Sequence, residues 1–377
     1  MNEPSLAPPV WVDRQAALGR MIDKLARCSI LAVDTESNSL YVYREQVCLI
    51  QFSTPDEDYL VDSLVLRDLS ALRPVFADPN VEKIFHAAEY DLIGLKRDFD
   101  FRFANLFDTM IAARVLGRTA VGLGSLLEAE FGILVDKRFQ RANWGLRPLP
   151  QPQLDYARMD THHLVRLRDR LKTELETSGR WPLALEDFQR VTQVNGKEPD
   201  DWEQTCWRIQ GVHDLNGRQA AVLRELCHYR DNQARSANLP PFKILSSQAL
   251  LEIAQILPQK MAELDEVKEI NARQIQRHGA RLLEAVARGM QAPPARPPVS
   301  PRPDDAYLNR LDALRSWRKV TAAQMGVESD VVLPRDVLYA IAAGAPAGLD
   351  ELAANMSHAP YRFQLFGPQI MKAIHGN

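Results

Sequence analysis

The hydrophobic and polar positions fall into successive regimes along the chain. Ser29–Thr35 (SILAVDT), Gln46–Ser53 (QVCLIQFS) and Asp58–Val61 (DYLV) are apolar, β-prone runs, and together they predict strands of one sheet. Val81–Phe85 (VEKIF) predicts a fourth strand. From Ala88 onward Leu92, Leu95 and Phe99 recur at helical spacing, and after Asp108 the helical pattern dominates through Leu171. Strands, then mixed segments, then helices predict an α/β sheet with helices packed on its faces.

The second half repeats itself. Adding 88 to a position carries Leu226 to Leu314, Tyr229 to Trp317, Arg230 to Arg318, Leu250 to Leu338 and Ile253 to Ile341, and then Pro258 to Pro346, Leu264 to Leu352, Gly279 to Gly367 and Val286 to Ile374. One offset sustained without a gap predicts two copies of a small helical domain. Gln291–Asp305, with six prolines at positions 293, 294, 297, 298, 301 and 303, reads as the stiff linker between them.

A length of 377 residues predicts two or three domains, and 46% hydrophobic with 25% charged residues excludes disordered, collagenous and coiled-coil classes. Lys and Arg number 46 against 49 Asp and Glu, a net charge of −3, so a nucleic-acid partner has to be held by local basic patches. Cys28, Cys48, Cys206 and Cys227 have no metal-ligand spacing. Cys28 and Cys48 lie in apolar runs and are expected in the core, and reduced thiols in a cytoplasmic protein are the expectation for all four. Met1–Asp13 lacks a basic stretch followed by an apolar one, and no 18-residue apolar run occurs, so neither secretion nor membrane spanning is expected.

Candidate chemistry lies in the carboxylates. Asp34 and Glu36 flank Thr35 at the end of the first strand, where two-residue alternation puts both acids on one side. Alone, a DxE pair reads as a solvated strand end. Two further acids change that reading: Asp91 in the first turns of the helix in HAAEYDLIGL, and Asp160, four residues after Tyr156 in YARMD and so on the same helix face. Clustered carboxylates are what a pair of hard divalent cations requires to hold the attacking and leaving oxygens of a phosphodiester. Zinc is not indicated, because His and Cys show no ligand spacing. The adjacent His162 and His163 point to different helix faces and are assigned a surface role.

These residues resemble a family, the DEDDy 3′→5′ exonucleases and within them ribonuclease D. The resemblance is carried by DTE (Asp34–Glu36), HAAEYDL (His86–Leu92), DT (Asp108, Thr109), DKRFQRANWGLRPL (Asp136–Leu149) and YARMD (Tyr156–Asp160). The repeated helical copies are similar to HRDC domains, so the resemblance covers about the whole chain. It implies a ribonuclease H-like α/β exonuclease domain, a mixed central sheet flanked by helices, over residues 1–198. Two all-α HRDC-type domains follow, at 212–290 and 306–377, with the linker at 291–305. It also implies two divalent ions, Mg²⁺ or Mn²⁺. In that reading Asp34, Glu36 and Asp160 hold the ion that carries the nucleophilic water, Asp34 bridges to the second ion, Asp91 supports the second ion, and Tyr156 positions the water. A phenol with an ordinary pKa of about 10 is a poor base by itself. His86, at a strand end, is a candidate catalytic neighbour, although such a histidine is usually structural. One departure is visible: Ala142 and Asn143 stand where the family commonly has Ser-Asp before the tryptophan, a change that touches no metal ligand.

Candidate RNA contacts are Lys137, Arg138, Arg141 and Arg147, interleaved with Phe139 and Trp144: cations for phosphate and rings for stacking. The segment reads equally as a solvated loop with Trp144 in the core, and its adjacency to the Tyr156 helix favours substrate contact. In the first helical copy Arg273, Arg277, His278 and Arg281 form a basic stripe suited to an RNA backbone. The second copy has Tyr361, Phe363 and Phe366 there and is expected to serve packing. The functional expectation is a cytoplasmic 3′→5′ exoribonuclease that releases 5′-mononucleotides, monomeric by default. Its expected substrates are tRNA precursors and other structured RNAs with accessible 3′ ends. A DNA exonuclease would share every catalytic residue, but the HRDC pair argues against it. An inactive RNA-binding scaffold is disfavoured because all four carboxylates and Tyr156 are present.

Overall fold

The computed structural model describes residues 7–196, 201–298 and 303–376. Six strands form one sheet: β1 (Val10–Val12), β2 (Ile30–Ser37), β3 (Val47–Ser53), β4 (Asp58–Val61), β5 (Glu82–Phe85) and β6 (Leu106–Asp108), in the order β1-β4-β3-β2-β5-β6. β2, β3 and β4 are antiparallel neighbours; β1 adds to β4, β5 to β2 and β6 to β5 in parallel. The apolar runs predict four of these strands. β1 and β6, three residues each, are too short to display a two-residue period.

Every residue of β3 is buried, as expected of a central strand covered on both faces. β2 is buried through Val33 and opens from Asp34 onward, and a register shift at Glu36/Ser37 ends its regular pairing. The acids therefore stand where the strand leaves the core. Helices α1 (Gln15–Leu25), α2 (Arg73–Ala77), α3 (Glu89–Phe99), α4 (Thr109–Val115), α5 (Leu123–Phe131), α6 (Gln151–His162), α7 (Leu164–Thr177) and α8 (Trp181–Val191) accompany the sheet. α6 lies across β2, β3 and β4.

Two repeats of helices follow: α9 (Trp202–Trp207), α10 (Gly217–Ala237), α11 (Pro241–Ile244), α12 (Ser247–Ile256) and α13 (Ala272–Gln291), then α14 (Asp305–Met325), α15 (Ser329–Val332), α16 (Arg335–Gly344), α17 (Leu349–Asn355) and α18 (Pro360–His375). The 88-residue shift maps α10 onto α14 and α12 onto α16 end for end. It also maps the hydrogen bond from Arg230 Nη1 to Leu245 O (3.4 Å) onto that from Arg318 Nη1 to Leu333 O (2.9 Å). Among the described residues no helix is long and apolar enough to cross a membrane.

The chain sorts into two compact units. One holds Met1–Ser37, Val47–Gly196 and Arg302–Asn377; the other holds Asn38–Gln46 and Lys197–Pro301. The second repeat thus shares a unit with the sheet, which sequence order hides. The boundary at 198 and part of the linker, 299–302, lie outside the described residues. The short stretch after β2 belongs to the first repeat's unit: Tyr43 donates its hydroxyl to Asp231 of α10 (2.6 Å), and its amide donates to Asn238 (3.3 Å).

Two expectations about cysteine are corrected. Cys206 and Cys227 form a disulfide, because α9 packs on α10 and brings their Cα atoms to 5.9 Å, a proximity that a separation of 21 residues does not reveal. Cys48 is buried as expected, but Cys28 is only partly so, since it sits at the edge of the strand-entry turn.

Candidate active site

The turn that aims Asp91 is built by a residue outside the ligand set. Ala87 takes a left-handed backbone conformation (φ 61°), which a residue with a Cβ adopts only when its surroundings hold it there. Asp108, buried at the end of β6, supplies the hold: it accepts hydrogen bonds from the amides of Ala87 (3.1 Å) and Ala88 (2.7 Å) and also caps α4 through Met110 and Ile111. α3 then starts with Asp91 in its first turn, where the helix dipole favours an acid. Thr35 donates its hydroxyl to Asp91 Oδ1 and ties α3 to β2.

α6 is pinned to the sheet by Asp58 of β4. That carboxylate accepts from Arg158 Nε (2.6 Å), contacts His162 Nδ1 (2.9 Å) and accepts from the Ser53 hydroxyl (2.6 Å), which also bonds Thr161 (2.7 Å). His163 is buried. The surface role assigned to His162 and His163 is therefore wrong: both lie at the α6–α7 junction, where Asp58 and the core take them up.

So positioned, Asp34, Glu36 and Asp160 bring carboxylate oxygens within 4.8 Å of one another. Asp91 stands outside that triad yet close enough to act on its charges. Burial, and then the fields of Asp91, Asp160 and Glu36, push the Asp34 pKa well above the carboxylate range. Glu36 is raised by burial and then by Asp160 and Asp91. Asp160 is raised to about 7 by burial, against a hydrogen bond from Tyr156, and Asp91 to about 7 by burial, against its bonds from Thr35. Half-buried carboxylate oxygens that repel one another are a donor set a hard divalent cation would neutralise. The residues present fit such an ion.

Tyr156 donates to Asp160, and burial beside three acids raises its pKa, so the phenol stays neutral. Its ring is flanked by Phe139 and Trp144, each 6.0 Å between centroids. His86 Nδ1 lies 2.9 Å from the Thr109 hydroxyl, which donates to Phe85 O (3.2 Å). With that hydrogen so committed, Nδ1 is the donor and Nε2 an acceptor. Burial lowers the His86 pKa and keeps the ring neutral. Asp34, Glu36, His86, Tyr156 and Asp160 line one cavity of about 470 Å³ together with Gly122, Ser125, Lys137 and Gln140. Gly122 and Ser125 carry no motif that sequence reading could single out, and Gln140 lies in the Asp136–Leu149 stretch of the resemblance but is not among the candidate site residues.

The predicted RNA contacts divide. Lys137 lines the cavity, and Arg138 and Arg141 are exposed, with Arg138 paired to Asp136 at 2.6 Å. Trp144 is only 1% exposed and packs with Cys48, Leu49, Leu60 and Ala157, so it presents no face for a base. Arg147 is held by Asp62 (2.6 Å) and donates to Cys48 O (2.7 Å) and Trp144 O (2.8 Å), so it staples this loop to the sheet. Both are corrections: an isolated loop sequence does not show which of its rings and cations the core consumes. Arg273, Arg277 and Arg281 are exposed along α13, whereas His278 is buried against the Tyr229 hydroxyl (2.7 Å) and leaves the stripe.

Comparison with known proteins finds relatives of both parts of the chain. Residues 9–176 match the 3′-5′ exonuclease family, and 219–286 and 308–374 each match the HRDC domain. Protein RRP6-like 3 of Arabidopsis thaliana is 33% identical over 330 residues, 81% of this chain and 36% of that protein. The chain spans between a third and a half of the length of the first curated relatives it matches. The catalytic core of RRP6 from Trypanosoma brucei superposes with a TM-score of 0.68 at 28% identity, covering 77% of this chain and 83% of that one. Escherichia coli RNase D, an exoribonuclease involved in structured RNA processing, shares the fold over 98% of this chain and 99% of its own, with a TM-score of 0.72 at 24% identity.

Proposed function

We propose, from the premise that this chain joins a 3′-5′ exonuclease domain to two HRDC domains, that it hydrolyses RNA from the 3′ end and releases 5′-mononucleotides. The observation that carries the reading is the convergence of Asp34, Glu36 and Asp160 in one cavity with Tyr156. Asp34, Glu36 and Asp160, with Asp91 behind them, would hold two divalent cations, Mg²⁺ or Mn²⁺. Such ions supply charge neutralisation at the phosphodiester and lower the pKa of water.

The chain's own residues do the rest. The neutral Tyr156 hydroxyl, held by Asp160, orients the attacking water without taking its proton outright. His86 Nε2 offers an acceptor to a hydroxyl of the terminal nucleotide. Lys137 and the Arg273, Arg277 and Arg281 stripe meet backbone phosphates. tRNA precursors and other structured RNAs with accessible 3′ ends are the proposed substrates, a monomer the proposed state and the cytoplasm the proposed location.

The test is incubation of the full chain with matched 3′-labelled RNA and DNA strands in Mg²⁺. Stepwise release of nucleotides from RNA, abolished by EDTA and restored by Mg²⁺ or Mn²⁺, is expected. Undiminished release in chelator overturns the mechanism, and a preference for DNA overturns the substrate.

A further inference from the structure

Gln51 lies in the middle of β3 with its side chain fully buried, and neither Oε1 nor Nε2 has a hydrogen-bond partner among the described residues. The antiparallel register places it directly across from Asp34 on one side and Leu60 on the other. Opposed residues of an antiparallel pair point to the same face with Cβ atoms about 4.5–5.5 Å apart, well within a glutamine's reach. The amide therefore shares the Asp34 face of the sheet, the face on which Leu49 and Leu60 pack against Ala157 of α6.

A leucine at position 51 would suit these apolar neighbours, whereas a buried amide with both ends unpaired is costly unless some state of the molecule uses it. The other acids indicate which state that is. Asp91 has a neutral side-chain donor in Thr35, and Asp160 has one in Tyr156. Of the two acids without one among the described residues, Glu36 faces Leu49 across the strand pair and Asp34 faces Gln51.

We infer that Gln51 is a positioning residue for Asp34: its Nε2 donates to the Asp34 carboxylate when that group turns to hold a cation, and so fixes the orientation of the ligand from behind. The inference rests on the metal-dependent reading above and adds to it a residue outside the ligand set. Groups that orient a ligand in this way change metal affinity or activity about 10–100-fold when removed.

The test uses the full-length protein with Gln51→Met, which keeps length and volume but has no donor, and Gln51→Leu as a second apolar variant. Mn²⁺ titration followed by electron paramagnetic resonance, which requires no activity, is expected to show about 10–100-fold weaker binding. At saturating RNA, kcat is expected to fall with KM for RNA unchanged, and the melting temperature to stay level or rise because an unpaired buried amide has gone. Wild-type Mn²⁺ affinity in the folded variants overturns the inference, as does a lower melting temperature with unchanged Mn²⁺ affinity, which would make Gln51 a packing residue. Mn²⁺ binding by the wild type without nucleotide release would instead overturn the exonuclease reading, and the Mn²⁺ comparison would still decide the role of Gln51.

Discussion

Arg362 of α18 and Glu186 of α8 form a 2.6 Å ion pair in which both side chains are buried. Arg362 also reaches Asp187 (2.7 Å) and donates to Val331 O (2.8 Å), while the Tyr361 amide donates to Glu186 (2.6 Å). In the first repeat the corresponding helix carries Arg273, Arg277 and Arg281; 88 positions later stand Tyr361, Leu365 and Gln369. The second copy has thus given up the basic stripe and spends its arginine on the exonuclease domain, in keeping with the packing role expected of it.

Removing Glu186 leaves the buried Arg362 with Asp187 as its remaining counter-charge and takes the acceptor from the Tyr361 amide. Glu186→Ala is expected to destabilise the protein by about 1–3 kcal/mol, read as a shift in the urea midpoint at unchanged slope. Arg362→Lys is not expected to substitute, because a single ammonium does not span Glu186, Asp187 and Val331 together. An unshifted midpoint in Glu186→Ala would show that the second repeat does not brace the sheet.

The triad predicts opposite effects on activity and on stability. Asp34→Asn and Asp160→Asn each remove a ligand and are expected to be nearly inactive, yet each also relieves repulsion among clustered, half-buried acids, so the cation-free variants should melt no lower than wild type. Mg²⁺ should raise the wild-type melting temperature, as any ligand of the folded state does, and leave the variants nearly unmoved. Calorimetry with and without Mg²⁺ decides the matter, and an equal rise in all three proteins would remove these residues from the site.

Tyr156 differs in kind from the acids. Tyr156→Phe keeps the ring that Phe139 and Trp144 flank but loses the hydroxyl, so cation binding should persist while the single-turnover rate falls about 10²–10⁴-fold. Since burial and neighbouring acids hold the phenol neutral, the wild-type rate should show no inflection near pH 10 from a tyrosinate. A Phe variant with an unchanged rate would remove the role.

The acids were legible in the sequence because strand alternation and the four-residue helical step are strong periodicities, and the family resemblance joined segments that neither periodicity could bring together. Gln51 and Asp58 were not legible, and Asp108 was visible only within the DT pair of the resemblance, without its role at the Ala87 turn. Each acts through a partner far along the chain, Asp34, Arg158 and the Ala87 turn respectively, and a lone polar residue in or beside a strand shows no pattern of its own. Trp144 and Arg147 failed for the converse reason: the sequence left a core position for Trp144 and substrate contact equally open, adjacency to the Tyr156 helix decided for substrate, and the packing against β3 and Asp62 shows that both face inward.

That difference separates the cations experimentally. Replacing Arg273, Arg277 and Arg281 with alanine should leave the melting temperature within error and weaken binding of a structured RNA. The slope of log affinity against log salt should flatten by about 0.7–0.9 per cation removed. Arg147→Ala should do the reverse, lowering the melting temperature through the freed Asp62 carboxylate and barely changing the salt slope. Filter binding across a salt series distinguishes them; a flattened slope in Arg147→Ala would mean that this arginine reaches RNA after all.

Asp58 gives a pH dependence whose sign can be worked out. Burial would raise its pKa, but hydrogen bonds from His162, Ser53 and Arg158 outweigh burial and leave the folded carboxyl below its ordinary value. A carboxyl whose pKa is lower in the folded than in the unfolded chain stabilises the fold fully above the unfolded pKa, about 3.9, and loses that contribution as the pH falls through the folded value. Asp58→Asn should therefore be less stable than wild type by a nearly constant margin from about pH 5 to 8, and the margin should shrink below about pH 4. Because Asp58 fixes α6 through Arg158 and His162, and α6 carries Tyr156 and Asp160, the variant should also lose turnover at pH 7 while still binding RNA. Urea unfolding of both proteins at pH 3, 5 and 7 is the measurement. A margin that persists undiminished at pH 3 would assign the stability difference to lost shape, not to the charge that Asp58 brings to Arg158.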